Sequence, residues 1–276
     1  MAHRTIRKAL TLLPAVALIA TATGCAQEIN TGGESQAGED VKLVKKGQLT
    51  TCTHLPYPPF QSTKNGKIVG FDVDLIDLVA KELGVKQKIV DIPFAGIESG
   101  EALNTGQCDV AAAAMTITDK REKVMDFSNG YFAATQSLLV RKDVGIGSLK
   151  DMKGKKLGVQ LGTTGEDYAK EHKDEFGYTI VHFEDLALMQ TAVVTGKVDA
   201  AINDDQPNKT YAEDHPEVSV TKEFGTGEHY GFAVRTGNGA LLSVINDVLK
   251  QAKADGTYAK IYKKWFDGKP PKKLLN

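Results

Sequence analysis

Two stretches of the chain follow the same pattern, and this repeat constrains the fold more than any other feature. They are LNTGQCDVAAAA, residues 103–114, and VVTGKVDAAIND, residues 193–204. Each joins the end of an apolar helix to a glycine, an aspartate and an apolar strand. Internal similarity of this kind indicates repeated structural units. Because strands and helices alternate in both halves, the sequence predicts an α/β protein with two similar lobes and parallel sheets.

The rest of the chain extends this pattern. In the first half it predicts strands over 47–53, 86–91 and 109–115, with helices over GFDVDLIDLVAKELG and over 97–105. Two long extended stretches, 131–142 and 227–238, are predicted to cross between the lobes as hinge strands. The C-terminal helices would return to the first lobe. Lobe 1 is therefore predicted to contain 47–136 and 231–276, and lobe 2 to contain 137–230.

The first 24 residues have the character of an export signal. A basic head precedes an apolar core, residues 9–20, which is too short to span a bilayer as a helix. Small residues then lead to Cys25, which resembles a bacterial lipoprotein signal, although Ala22 stands where such signals usually have leucine. The sequence predicts lipidation of Cys25 and attachment to the extracellular face of the cell membrane. An ordinary secretory signal is the alternative.

The segment after the signal, residues 25–46, is polar and rich in glycine, and is predicted to be a flexible tether. The chain has 34 basic and 35 acidic residues, and three of the basic ones lie in residues 1–24, so the remainder carries a net charge of −4. Without a basic stripe, nucleic acid is excluded as a partner. In an exported chain the remaining cysteines, Cys52 and Cys108, favour a disulfide over two buried thiols.

Four short motifs occur in order along the chain: GFDVDLIDLVAKEL, MTITDKR, GVQLGTTGEDY and DAAINDDQP. Together they resemble the motifs of bacterial solute-binding protein family 3, over about residues 47–270. The resemblance implies the two-lobed type II periplasmic-binding-protein fold, with two hinge strands and the ligand in the cleft. It also implies a monomeric receptor that delivers a polar amino acid to the permease of an ABC importer. The family needs no cofactor, and the histidines show no metal-ligand spacing.

The resemblance assigns the α-carboxylate of the amino acid to Arg121. A guanidinium is a planar fork that pairs with a carboxylate through two hydrogen bonds. Thr116 would add its hydroxyl and its backbone N–H, and Ala114 would contribute backbone atoms. A surface ion pair between Arg121 and Asp119 or Asp126 is the alternative interpretation.

The second lobe would supply the remaining contacts to the backbone of the amino acid. Thr163 and Thr164 lie at a predicted helix start, where free N–H groups bind anions, and are assigned to the same carboxylate. Asp204 matches the acid that accepts the ammonium. A purely structural helix cap remains the alternative for these residues.

The ligand side chain would lie between Tyr57 and Phe94, which match the aromatic positions of the family. His54 stands where several relatives carry an acid that meets a cationic side chain. We therefore expect an uncharged polar amino acid, with a basic one next. Glu98 or Asp205, which match no ligand-binding position of the family, could still reach a cation.

Two other functions are compatible with the same fold. Cyclohexadienyl dehydratases resemble this family, and such an enzyme needs a general acid, for which Glu98 and Glu166 are the candidates. A ligand sensor for a membrane signalling partner is the other alternative. Because no motif identifies either glutamate as a general acid, the sequence predicts a binding protein without enzymatic activity.

Overall fold

The computed structural model of the protein describes residues 41–275. The predictions for the signal, for Cys25 and for most of the 25–46 segment lie outside these residues. The strands, numbered in chain order, are β1 Gln48–Thr53, β2 Ser62–Lys64, β3 Lys67–Val69, β4 Lys86–Asp91, β5 Val110–Ala111, β6 Met125–Phe127, β7 Phe132–Arg141, β8 Lys156–Gln160, β9 Thr179–Phe183, β10 Ala200–Asp204, β11 Val218–Tyr230 and β12 Ala233–Arg235.

Eight α-helices cover the sheets in this part of the chain. They are α1 Phe71–Glu82, α2 Phe94–Glu98, α3 Glu101–Asn104, α4 Thr164–Phe176, α5 Leu186–Val194, α6 Asp205–Asp214, α7 Gly239–Ala254 and α8 Thr257–Trp265. None of these helices is long and apolar enough to cross a membrane.

The main strands form two five-stranded sheets, with strand orders β4-β1-β5-β12-β6 and β11-β7-β10-β8-β9. In the first sheet only β12 runs against the other strands, and in the second only β7 does. A small hairpin of β2 and β3 stands beside the first sheet. The predicted α/β fold with two mostly parallel sheets is confirmed.

The chain crosses from the first sheet to the second between Phe127 and Phe132, and returns between Tyr230 and Ala233. Both crossings fall in or beside the stretches predicted as hinge strands. The returning strand β11 begins earlier than the predicted stretch 227–238, at Val218, and ends at Tyr230, after which the separate strand β12 covers Ala233–Arg235. Strand β11 lies at the edge of its sheet and is largely exposed, so its polar sequence gives only a weak strand signal.

Two elements of the first lobe differ from the prediction. The helix expected over 97–105 is split into α2 and α3 at Gly100, whose φ is +76°. The strand expected over 109–115 pairs only at Val110 and Ala111. The chain then leaves the sheet, and Ala114 adopts a φ of +48°.

A buried carboxylate holds the chain at the point where it leaves the sheet. Asp72 accepts a hydrogen bond from the backbone N–H of Ala114 at 2.8 Å and one from the hydroxyl of Tyr131 at 2.7 Å. Burial raises the pKa of Asp72 to about 7, while these two hydrogen bonds lower it. Asp72, at the start of α1, therefore fixes the loop that leads from β5 to Thr116.

The predicted disulfide is present between Cys52 and Cys108, whose Cα atoms are 5.7 Å apart. Cys52 lies in β1 and Cys108 stands just before β5, its neighbour in the sheet. The adjacent Asp109 accepts hydrogen bonds from the backbone N–H groups of Thr50 and Val44, at 2.8 and 2.6 Å. The start of the first lobe is thus joined to β5 covalently and by hydrogen bonds.

Candidate functional site

One cleft between the two sheets is lined by all nine residues predicted to bind the ligand, and by three that were not predicted. The three additional residues are Gln61, Ala113 and Gln160. The cleft contains about 340 Å³ of space, open solvent included. The structure therefore brings the predicted residues together, and their role in binding stays a prediction.

Several of these side chains lie at or beyond the carboxyl ends of strands. His54 follows β1, Thr116 follows β5, Gln160 ends β8 and Asp204 ends β10. In open α/β sheets the carboxyl ends of parallel strands are the usual place for a ligand. The repeat in the sequence thus explains why both lobes present polar side chains to one space.

Arg121 is 4% exposed and lies in a short 3₁₀ helix. Its Nη1 donates to the carbonyl of Thr116 at 2.8 Å, and its Nη2 donates to the carbonyl of Gly162 at 2.9 Å. Its Cζ lies 5.5 Å from the centre of the Phe94 ring. Asp126, proposed as a surface partner, instead accepts from the backbone N–H of Gly237.

The charge of Arg121 is not neutralised by an ion pair within residues 41–275. Burial lowers its pKa, and the negative charges of Glu98 and Asp204 oppose that shift. A guanidinium nevertheless stays protonated in proteins. A buried cation bonded only to carbonyl groups is suited to pair with an anion that enters the cleft.

The first turn of α4 supplies backbone N–H groups from the second lobe. Thr163 caps this helix, since its hydroxyl oxygen accepts from the backbone N–H of Glu166 at 3.2 Å. The structural interpretation of Thr163 is therefore correct for its hydroxyl. N–H groups in the first turn of a helix have no intrahelical acceptor and attract anions, so the backbone of Thr163 and Thr164 stays available for that role.

Asp204 is 5% exposed and does not cap the helix that follows it. Its carboxylate accepts hydrogen bonds from the hydroxyls of Tyr57, at 2.8 Å, and Tyr230, and from the amide of Gln136. Burial and the negative charge of Glu228 raise the pKa of Asp204 to about 7, although the three hydrogen bonds lower it. Asp204 can therefore take up or release a proton near neutral pH.

Three side chains that line the cleft from the first lobe form hydrogen bonds directly to the second lobe, and one of them is the hydroxyl of Thr116, which donates to Glu228 Oε2 at 2.8 Å. The hydroxyl of Tyr57 lies 2.6 Å from Asn203 Oδ1 and 2.8 Å from Asp204 Oδ2. Arg121 contributes the bond to the carbonyl of Gly162. The lobes therefore contact each other across the cleft through groups that also line it.

Besides these charged groups and helix N–H groups, the cleft contains two hydrogen-bond acceptors that have no donor within residues 41–275. His54 Nδ1 lies 2.9 Å from the carbonyl of Ile92, and because a carbonyl can only accept, Nδ1 carries the hydrogen. Its Nε2 then has a free lone pair, and this atom is buried without a hydrogen-bond partner in the described chain. The Oε1 atom of Gln61 is likewise buried without a hydrogen-bond partner in the described chain. Together they can accept hydrogen bonds from a donor on a ligand side chain.

Gln61 in the cleft, and Glu228 and Gln136 next to it, were missed because no motif includes them. Gln61 follows the proline-rich loop directly, so its position beside Tyr57 was a signal that could have been used. Glu228 and the buried Tyr230 are two positions apart in β11, so their side chains lie on the same face of the strand. Gln136 lies in the stretch predicted as a hinge strand, and nothing in its sequence context marks it as polar and buried.

Comparisons with known proteins agree with this geometry. The sequence matches the family model of bacterial extracellular solute-binding proteins, family 3, over residues 49–268. The arginine-binding extracellular protein ArtP of Bacillus subtilis (strain 168) is 32% identical over 265 residues, which are 95% of this chain and 99% of ArtP. The glutamine-binding protein GlnH of the same organism is 36% identical over 212 residues, covering 76% of this chain and 77% of GlnH.

A solved structure extends the agreement to the fold. An ancestral arginine-binding protein bound to arginine superposes with a TM-score of 0.76 and 43% sequence identity, covering 80% of this chain and 99% of that one. The matched family model spans both sheets and every residue of the cleft described above. The chain therefore belongs to the bacterial extracellular solute-binding proteins, family 3.

Proposed function

We propose that the protein is the extracellular receptor of an ABC importer and captures a free polar amino acid between its two lobes. One observation carries this proposal: a buried guanidinium without an ion pair, Arg121, and a buried carboxylate, Asp204, line the same cleft. A free amino acid carries the complementary pair of charges. Charge-assisted hydrogen bonds to both ends would hold it in place.

In this mechanism the α-carboxylate pairs with Arg121 and with the first N–H groups of α4, while the ammonium pairs with Asp204. These groups come from different lobes. Only the closed arrangement makes all the contacts, so the ligand shifts the population of the protein towards closure. The closed receptor would then deliver its ligand to a permease in the membrane.

The ligand side chain is proposed to carry an N–H donor, with an uncharged carboxamide favoured and a basic group next. His54 Nε2 and Gln61 Oε1 can accept from either kind of group. Within residues 41–275, Asp91 lies 4.0 Å from His54 Nδ1 and not beside Nε2, Asp205 pairs with Lys209 at 2.8 Å, and Glu98 lies 3.7 Å from Lys120. A buried guanidinium would therefore lack a counter-charge, whereas a carboxamide needs none. The relatives named for glutamine and for arginine support both candidates.

We also propose that the protein is attached to the membrane and has no enzymatic activity. The family is extracellular, and lipidation of Cys25 would hold the receptor close to its permease. The dehydratase alternative has less support, because neither candidate acid lines the cleft. Glu166 pairs with Lys170 at 2.7 Å and with His182 at 3.0 Å.

The function is tested by thermal unfolding of the purified protein with L-glutamine, L-citrulline, L-arginine and L-glutamate. A ligand at a hundred times its Kd adds about 2.7 kcal/mol to the free energy of unfolding, which raises the Tm of a chain of this size by roughly 5–10 °C. We expect the largest shift with glutamine or citrulline and none with glutamate. The absence of a shift with every amino acid would contradict the proposal.

The side-chain preference is tested separately with His54→Glu. The new carboxylate should favour L-arginine over L-glutamine by about tenfold relative to the unchanged protein, equivalent to one charge-assisted hydrogen bond of roughly 1.5 kcal/mol. Isothermal titration calorimetry gives both affinities. His172→Glu, at a half-buried helical site outside the cleft, is the matched control. An unchanged ratio of the two affinities in His54→Glu would contradict the proposed contact between His54 and the ligand side chain.

The affinity for L-glutamine should depend on pH because of Asp204. Its pKa of about 7 means that the carboxylate must lose a proton before it can accept the ammonium. Binding should therefore weaken as the pH falls through 7 and be about tenfold weaker at pH 6 than at pH 8. Calorimetry at pH 6 in buffers of different ionisation enthalpy should show the release of nearly one proton. Equal affinities at both pH values, with no proton released, would contradict the assignment of Asp204.

A further inference from the structure

Glu228 is a half-buried carboxylate that belongs to none of the four sequence motifs and does not line the amino-acid cleft. It lies near the end of β11, next to the point where the chain returns to the first sheet. Its Oε2 accepts from the hydroxyl of Thr116 at 2.8 Å and from the hydroxyl of Thr164 at 2.9 Å. The amide nitrogen of Gln136 donates to its Oε1 at 3.1 Å. Glu228 thus contacts both lobes and the strand that crosses between them.

The single hydrogen on each threonine hydroxyl determines whether that hydroxyl can donate to a ligand or can only accept. A hydroxyl has a single hydrogen, and a carboxylate can only accept. Both threonine hydroxyls therefore donate their hydrogen to Glu228, and only oxygen lone pairs remain for other partners. One lone pair of Thr164 already accepts from the amide of Gln136 at 3.2 Å. A lone pair can accept from an ammonium, but it cannot donate to a carboxylate. The expectation that the Thr116 hydroxyl binds the carboxylate of the ligand conflicts with this geometry.

The two threonines separate two spaces. Both line the amino-acid cleft, and both also line a more open crevice that Glu228 borders. The carboxylate of Glu228 thus lies behind the threonines as seen from the cleft. Gln136 donates both to Glu228 and to Asp204, so it connects the two carboxylates.

We propose that Glu228 is a positioning residue that orients the hydroxyls of Thr116 and Thr164 as acceptors for the ammonium of the ligand. The ammonium is then bound among these oxygens and Asp204, and the carboxylate is left to Arg121 and backbone N–H groups. Glu228 also places a second negative charge near the ammonium. This assignment rests on the proposed function, and it explains how the site distinguishes an amino acid from an acid that lacks the amino group.

The test compares amino acids with their deamino analogues in the purified protein and in Glu228→Gln. The probes are L-glutamine with glutaramic acid, and L-arginine with 5-guanidinopentanoic acid. A glutamine at position 228 can donate to one threonine and so reverse its orientation. We expect the affinity for the amino acid to fall at least tenfold, while the affinity for the deamino analogue is unchanged or higher. A purely structural role would weaken both ligands equally.

Two controls keep the result interpretable. Glu223→Gln changes an exposed glutamate of the same strand, which pairs with Lys209 at 2.9 Å, and should leave both affinities unchanged. When a deamino analogue binds too weakly to measure, a double-mutant cycle of Thr116→Val with Glu228→Gln replaces it. The two losses should then be non-additive, because Glu228→Gln acts in part through the Thr116 hydroxyl that Thr116→Val removes.

The outcomes separate this inference from the proposed function. If the unchanged protein binds none of the amino acids, the proposed function is wrong. If it binds L-glutamine or L-arginine but Glu228→Gln binds equally well, or loses both members of a ligand pair equally, only the role of Glu228 is wrong. Additive losses in the cycle would also overturn it.

Discussion

Arg121→Ala should abolish measurable binding of amino acids. Removing one partner of a buried, hydrogen-bonded charge pair costs about 2–5 kcal/mol or more, which corresponds to an affinity lower by roughly 30-fold to several-thousand-fold. Most of this loss comes from leaving the ligand carboxylate in the cleft without a counter-charge. Calorimetry with L-glutamine and L-arginine measures the effect directly.

Two further variants make the Arg121 result specific. Arg121→Lys keeps the charge but loses the planar fork, so we expect intermediate affinity. Arg235→Ala removes an exposed guanidinium at the end of β12, outside the cleft, and should bind normally. Because Arg121 also bonds two carbonyl groups, the Tm of each ligand-free variant is recorded. Full affinity in a folded Arg121→Ala protein would refute the assignment.

Removing the disulfide should produce the largest change in stability. Cys52 and Cys108 are separated by 56 positions, and closing a loop of this length in the unfolded chain is worth about 4 kcal/mol in the chain-entropy model. The double variant Cys52→Ala/Cys108→Ala should therefore have a free energy of unfolding lower by about 4 kcal/mol. Urea unfolding followed by circular dichroism measures this difference.

The reducing agent dithiothreitol supplies the internal control for the disulfide. It should lower the urea midpoint of the unchanged protein towards that of the double variant and have no effect on the variant itself. Both cysteines are almost fully buried, so reduction is expected only after partial unfolding. Equal midpoints for the oxidised protein and the double variant would show that the bridge does not stabilise the fold.

Much of the architecture could be predicted because it is local in sequence. The repeat of helix, glycine, aspartate and strand appears within twelve residues in each half, and it gave the two-sheet fold. The break at Gly100 was also visible, since glycine weakens a helix interior. The early end of β5 was not, because it depends on a carboxylate 42 positions earlier in the chain, Asp72.

The residues in and around the cleft divide in the same way, into those that a local motif identifies and those whose role depends on partners distant in sequence. Arg121, Thr116 and Asp204 lie in motifs that resemble those of a known family, so they could be named in advance. Glu228 reaches Thr116 across 112 positions of sequence and lies in a strand without a motif. Hydroxyl orientation depends on such distant partners, so the sequence alone could not indicate that the Thr116 hydroxyl donates to Glu228.

The hydrogen bonds of Tyr57 and Arg121 across the cleft also affect how long a captured ligand stays. They join the lobes without requiring any particular ligand side chain, and they must break before the lobes can separate. Differences in affinity between related complexes arise mostly from dissociation rates. If the protein binds an amino acid as proposed, these bonds would lengthen the residence time of every ligand alike, whereas His54 and Gln61 would determine the choice among ligands. Residence time and selectivity could then change independently.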